Sequence, residues 1–380
     1  MKKSLLLFAC IFAALSSSSA TSVIYSTWDD ATYNNGSFAW SDASHWSNGI
    51  PSSGANFYVA NITHSTGDLV ITTSTALLVG YDFNTGMNNS AFNPVVNSGS
   101  LTFKFGASFT TQGTPVVTNN TNDVSKLVFD VNDQIVSVAG MSGSTTTYFT
   151  VKSSASDGGG TYIMNQALAA IHMSVENNVT LNIAGAGNTP TNISFSPTST
   201  LKFTGAGFNF LAGGPATSVG NLIIGSTTTA KDTTQIGSGA NIRVVSNVIY
   251  NTSTTLHADS LLTFGSSTSK LYVGGNLTDN GNASSDTQDY GNGMIFFNGG
   301  AGSQRTVSIG RTGLTTKFQI GENTSTFGNI AISQNLTTTG SLTILRGSRL
   351  NVGAFISIPA IILVNQRATQ NERAFLCKEE

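Results

Sequence analysis

Four short phrases close the body of this chain: Val307-Ser-Ile-Gly310, Phe318-Gln-Ile-Gly321, Ile330-Ala-Ile-Ser333 and Leu342-Thr-Ile344. Each alternates apolar and small polar residues at period two, which predicts a strand with one buried face. The Gly or Ser that follows predicts a turn. The phrases begin at Val307, Phe318, Ile330 and Leu342, so the step from one to the next is nearly constant. A near-constant step between short strands marks a solenoid, in which each unit buries its apolar face only by stacking on its neighbours. The same phrase recurs upstream as Leu101-Thr-Phe-Lys-Phe-Gly106, Leu201-Lys-Phe-Thr-Gly205, Leu222-Ile-Ile-Gly225, Leu262-Thr-Phe-Gly265 and Leu271-Tyr-Val-Gly274. The expected fold is all-β: a single elongated solenoid of parallel coils, with two or three strands per coil.

Composition supports a packed chain. Of 380 residues only 9% are charged, with a net charge of −2, against about 25% charged in ordinary soluble domains. Polarity comes from Ser, Thr, Asn and 40 Gly, while 22 Phe and 9 Tyr sit in alternating strings. Disordered chains have few aromatics and high net charge; this one has the means to bury a core. Nucleic-acid and acidic-membrane binding need dense Lys and Arg, so neither partner is expected.

Residues 1–20 read as a signal peptide. Lys2 and Lys3 precede the apolar run Leu5 to Leu15, and Ser18-Ser19-Ala20 fits a peptidase site, so cleavage is expected after Ala20. The alternative lipoprotein-type cut before Cys10 leaves too short an apolar run, Leu5 to Ala9, ahead of the cysteine. Removing the leader leaves Cys377 as the one cysteine, so no internal disulfide is expected. Residues 21–60 hold Trp28, Trp40 and Trp46. They are expected to form an aromatic N-terminal cap over the first coil, with an exposed sugar-stacking platform as the alternative.

Residues 61–344 form the repeat body. Met164 to Met173 reads either as two helical turns or as a buried strand with a bend. In Phe129-Asp-Val-Asn-Asp-Gln134 and Phe297 to Gln304, the Gln is expected to satisfy turn carbonyls or to stack as a polar ladder between coils. Residues 345–380 break the style with a denser run of charges, and read as a degenerate cap or as an altered reading frame. The apolar run Ile356 to Val364 is interrupted by Pro359 and is far shorter than the roughly 20 residues of a membrane helix. No transmembrane anchor is expected.

The search for chemistry yields little. His45, His64, His172 and His257 are too far apart for metal-ligand spacing, and each reads as a turn or surface residue. Asp130-Val-Asn-Asp133 and Asp279-Asn-Gly-Asn282 carry oxygen ligands at short spacing but lack the order of a calcium loop, and read as turns. No catalytic, cofactor-binding or metal residue is assigned, and no cofactor is expected. The charge-rich stretch 279–322 supports one rival: Asp286 and Asp289 converging on the coil of Arg305, as in a polysaccharide lyase or glycosidase.

The segment Gly36-Ser-Phe-Ala-Trp40-Ser-Asp-Ala-Ser-His-Trp46-Ser-Asn-Gly-Ile-Pro51 resembles the opening of bacterial autotransporter-associated β-strand repeat proteins, which begin with paired Trp and a Gly-Pro segment. Gly275-Asn-Leu277, Ile295-Phe-Phe-Asn-Gly299 and Gly340-Ser-Leu-Thr-Ile344 are similar to their repeats, and the likeness covers about residues 25–350. It implies a right-handed parallel β-helix of the passenger or pectin-lyase type, at the cell surface or secreted. The large C-terminal barrel of autotransporters has no counterpart here. The expected function is an exported structural or adhesive surface scaffold without catalysis, meeting a surface polysaccharide or another surface protein.

Overall fold

The computed structural model describes residues 23–51, 57–79, 92–111, 115–138, 147–165, 171–184, 187–188, 192–204, 208–210, 217–225, 233–250, 261–279, 290–299, 303–309, 314–323, 326–334, 336–352, 356–357 and 360–364. Among these residues the chain is all-β with parallel sheets. It has two single 3-10 turns, Ala43–His45 and Val124–Lys126, and no α-helix. It divides into two compact units, residues 1–165 with 170–173, and residues 166–169 with 174–380.

In the N-terminal unit the chain visits three sheets in a fixed order. Sheet A takes Val23–Thr27, Phe57–His64, Phe92–Val96 and Thr118–Asn119. Sheet B takes Gly36–Ala39, Asp68–Thr73, Ser100–Phe105, Leu127–Asp130 and Thr147–Lys152. Sheet C takes Leu77–Val79, Phe109–Thr111, Ile135–Val138 and Thr161–Met164. One cycle shows the regularity. Ala60 pairs with Phe92, Asp68 with Ser100 and Leu77 with Phe109, so the offset along the chain is the same in all three sheets.

Shared register turns the alternation of single strands into columns. Leu69, Leu101 and Leu127 form one inward column, and Ile71, Phe103, Phe129 and Val151 form the next, all buried. Phe103 and Phe129 stack with centroids 5.7 Å apart and 16° between rings. Each inward side chain thus meets its neighbours of the adjoining cycles, and hydrophobic burial and aromatic stacking act on the same atoms.

The C-terminal unit repeats this plan. Sheet D takes Thr180–Ile183, Thr200–Phe203, Asn221–Ile224, Val248–Tyr250, Leu277–Asp279, Arg305–Ile309, Asn329–Ile332 and Arg349–Val352. Sheet E takes Gly187–Asn188, Phe208–Phe210, Thr233–Ile236 and Leu261–Phe264. Sheet F takes Thr217–Val219, Asn241–Val244, Lys270–Val273, Met294–Phe297, Lys317–Ile320, Ser341–Leu345 and Ala360–Val364. Beyond residue 264 the described part of the third side shrinks to a Leu314–Thr338 bridge and the short pair Leu336–Thr337 with Ile356–Ser357.

The register gives the phrase spacing a different meaning from stacked neighbours. Val307 pairs with Leu277 and Ile332, whereas Phe318 pairs with Ile295 and Leu342. The step between consecutive phrases is therefore alternately the walk from sheet D to sheet F and the walk back. Within one sheet the partner lies two phrases along, as Ile332 does from Val307 and Leu342 from Phe318. Parallel pairing also continues past residue 344, because Ser341–Leu345 pairs with Ala360–Val364 along its whole length.

The glycine that ends each phrase answers two separate demands. Gly321 has φ +88°, in the left-handed region. Gly274 has no such angle, but a Cβ there would strike the Val245 carbonyl of the preceding cycle. In the Met164 to Met173 stretch, Thr161–Met164 and Ile171–Val175 are strands, and residues 166–170 lie outside the described residues.

Two substitutions separate packing from polar satisfaction. Leu201→Ala, in the column Leu181–Leu201–Leu222, is expected to cost about 3 kcal/mol by urea titration. Tyr162 is wholly buried with no partner for its hydroxyl, and burial pushes its phenol far above the usual range. Tyr162→Phe is therefore expected to leave the urea midpoint unchanged or raise it. A clear fall would mean that the hydroxyl is satisfied after all.

Candidate functional site

The three indoles of the Trp-rich segment are buried. Trp28, Trp40 and Trp46 are 3%, 1% and 5% exposed. Each indole N–H donates to a backbone carbonyl, Trp28 to Tyr33 (3.1 Å), Trp40 to Pro51 (2.8 Å) and Trp46 to Trp40 (2.9 Å). Trp46 packs edge-on against Trp28 at 5.3 Å and tilted against Trp40 at 4.8 Å. Trp40 also reaches Phe92 and Phe109. A sugar-stacking platform needs open ring faces, and these faces are covered by other rings. The local bend is held by Asp42, which accepts from the Ser44 amide and hydroxyl, and these bonds hold its carboxyl below the usual range.

His64 departs from the turn-or-surface expectation, whereas His45 is a turn residue, at the end of Ala43–His45, that is also buried. His45 is buried between Trp28 and Tyr33, with centroids at 4.8 and 4.2 Å. His64 is 0% exposed at the end of Phe57–His64. Its Nδ1 lies 2.7 Å from Asp30 Oδ1 and its Nε2 lies 3.1 Å from the Gly67 carbonyl. Asp30 Oδ2 takes the Ser65 amide as well. The pair ties the first cycle to the second. His172 is half-buried and stacked on Tyr148, and His257 lies outside the described residues.

Of the charge-rich stretch, the described Asp279 and Arg305 stand on sheet D and Lys317 on sheet F. Asp286 and Asp289 lie outside the described residues, so the convergence on Arg305 is not described. Asp279 is not a turn residue. It is 1% exposed, in an inward column between Tyr250 and Ile309, and it accepts from the hydroxyl of buried Tyr290. Asp130, at the other candidate calcium loop, is buried and accepts the Ser154 amide at 2.8 Å. The turn beyond it bends through left-handed Asn132 and Asp133. Gln134 donates at 3.5 Å to the Asn132 carbonyl within that turn. The polar ladders between cycles are built of asparagine instead, as in Asn221, Asn247 and Asn276, each Oδ1 accepting an amide of the next cycle. No group of three or more His, Cys, Asp or Glu among the described residues is placed to hold a metal ion.

A polar and aromatic cluster lies on the outer face of sheet F. Arg243, Tyr272, Phe296 and Gln319 occupy one outward column. The Arg243 guanidinium sits 4.4 Å over the Tyr272 ring, which stacks on Phe296 at 4.6 Å and 17°. Arg243 also makes a two-pronged pair with Glu322 at 2.8 and 2.6 Å, and Asn298 donates to the same carboxylate at 2.9 Å. The Arg243 hydrogen bonds hold the Glu322 carboxyl below its usual range, and burial raises the Tyr272 phenol. A carboxylate held ionised in this way is a poor proton donor and already has its cation. The arrangement clamps the outer face and presents ring edges and amides for contact. Arg243 and Glu322 are 79 residues apart, and neither Arg243 nor the column was singled out by sequence reading. A signal existed: the middle slot of the phrase reads Arg, Tyr, Phe and Gln here, where other phrases carry Thr, Lys, Ser, Ile or Ala.

Neither a family model, nor a curated protein, nor a solved structure matches this chain. No helix among the described residues is long and apolar enough to cross a membrane.

Glu322→Gln is expected to lower stability at neutral pH by about 1 kcal/mol or less, because water screens a pair that is a third exposed on the Arg243 side. The Glu322 carboxyl is depressed from 4.5 on folding, so its contribution is complete above that value and fades as pH falls through the lower, folded one. The gap in melting temperature between the parent and Glu322→Gln should therefore close on acidification. A gap independent of pH would show that the charge of Glu322 is not what stabilises the clamp.

Proposed function

We propose that this chain is an exported structural or adhesive surface scaffold of the autotransporter-associated repeat type, each unit wound as a right-handed parallel β-helix. The common offset between partners in sheets A, B and C carries this reading. A segment that advances three sheets by one strand each has returned to its starting side, which is one closed coil. Crossovers between parallel strands of one sheet are right-handed in about 98% of cases, which favours that hand. The scaffold role is supported by how the chain uses its reactive groups. Asp30 and His64, Asp279 and Tyr290, and Arg243 and Glu322 each hold one part of the chain to another. Many outward slots carry Thr, Ser or Asn, which give neutral contact area.

Two measurements test this. Expressed with its leader in a secretion-competent bacterium, the protein should appear outside the inner membrane with Thr21 as its first residue; an uncut cytoplasmic product would refute the exported role. Offered a panel of plant and bacterial polysaccharides, the purified chain should adhere without shortening them. Depolymerisation that disappears in the Asp286→Asn, Asp289→Asn double variant would replace the scaffold by an enzyme.

A further inference from the structure

The inward columns of the C-terminal unit end uncovered. On sheet F, Ile295, Phe318 and Leu342 are buried, whereas Ile361, next in the same column, is only half-buried. On sheet D, Val307 and Ile332 are buried, whereas Val352 after them is 45% exposed. Leu350, next to buried Ile330, is half-buried as well. Upstream, each inward side chain is sealed by the cycle that follows it, and among the described residues no cycle follows these strands. Ile362, in the outward column after Thr343, adds a further apolar side chain at 47% exposure.

The backbone edge is open too. Ala360–Val364 is the last strand of sheet F, and among the described residues no strand pairs with its far side. Its five residues carry no charge, and the nearby residues of the kind that blunt natural edges, Arg349 and Pro359, lie outside the run. The first strand of sheet A is treated differently. The Ser47 amide donates to the Thr27 carbonyl, the Thr27 amide donates to Ser47 Oγ, and Asn48 Nδ2 donates to the Tyr25 carbonyl. That edge is therefore occupied by the chain itself, and a second copy could seat a strand there only by displacing these bonds. Residues 365–380 are poorly suited to cover the other end, since they hold Arg367, Glu372, Arg373, Lys378, Glu379 and Glu380 and no alternating phrase.

We propose that the open end binds a second copy of this chain, tail to tail, about a two-fold axis at Ile362. Antiparallel pairing of two Ala360–Val364 strands about their middle residue sets Ile362 opposite its own counterpart and Ile361 opposite the counterpart of Leu363. Every position then faces one of the same parity, so inward columns meet inward columns and outward meet outward. Such an interface is self-complementary and closes at two copies. Both strands gain the backbone hydrogen bonds that a free edge lacks, and Leu350, Val352 and Ile361 are withdrawn from water as the two ends meet. The pairing stands independently of the scaffold reading.

The test measures the mass of the purified chain by sedimentation equilibrium at rising concentration, in reducing buffer so that no disulfide links two copies. A monomer–dimer equilibrium with nothing larger is expected. Ile362→Glu should weaken the dimer about tenfold or more, because like charges then face each other across the axis. Ile362→Lys should do the same, and mixing the two variants should restore a dimer that holds one of each. A misfolded variant could not be rescued in this way. A monomer at every concentration, a dimer indifferent to Ile362→Glu, or variants that fail to pair when mixed would overturn the proposal. So would a ladder of larger species, which marks head-to-tail stacking. A full chain that stays monomeric but dimerises once ended after Val364 would assign the cover to residues 365–380, and would overturn it as well.

Discussion

Everything in this chain depends on parallel backbone pairing held in one register across several sheets at once. Because Ala60–Phe92, Asp68–Ser100 and Leu77–Phe109 advance together, a slip in one sheet would have to be matched in the others. A one-residue slip would also turn every inward side chain outward. The insertions that make separations vary, short at Leu181–Leu201 and longer at Leu277–Val307, therefore fall between strands. Loop length costs little there. Register is kept inside strands while spacing drifts between them.

The same rule governs polar groups. An inward column has no water to share, so a polar residue in it must find its partner in the chain. His64 finds Asp30 and the Gly67 carbonyl, and Asp279 finds Tyr290. At the corners, Asn221, Asn247 and Asn276 each cap an amide of the following cycle. Such ladders fix cycles against one another without burying charge. Tyr162 and Thr73 break the rule in different settings. The first is sealed among Phe129 and Phe149, whereas the second is covered at the end of Asp68–Thr73.

Strand existence and the buried face of each strand were legible, because period two is a local property of the phrase. Leu101, Phe103 and Phe105 sit inward as their alternation requires. Partnership was not legible. The step between Val307, Phe318, Ile330 and Leu342 is equally regular whether neighbouring phrases stack or lie on different sheets, and only the register separates these cases. Side-chain fate failed for the same reason. His64, surrounded by Ser and Thr in sequence, reads as a surface residue because Asp30 arrives from 34 residues away. Asp279 reads as a turn residue because Asn-Gly follows it, although its position in the phrase after Leu277 is an inward one. For Asp279 the period was the better guide than the composition around it.

Register also decides what kind of surface the chain can offer. Outward residues form columns as surely as inward ones do, at the roughly 4.8 Å spacing of paired strands. On sheet F that spacing brings Arg243, Tyr272 and Phe296 face to face, so their flat surfaces are used on one another and only edges remain for a partner. A column is therefore a poor place to hold a ring by stacking, however aromatic its sequence. A ring-sized ligand needs a break in the columns, and breaks occur where strands stop. Asp68–Thr73 stops level with Phe105 of the next cycle, and Trp40 stands beside the link that follows. Register therefore leaves the links between strands, rather than the flat faces, as the places free of columns.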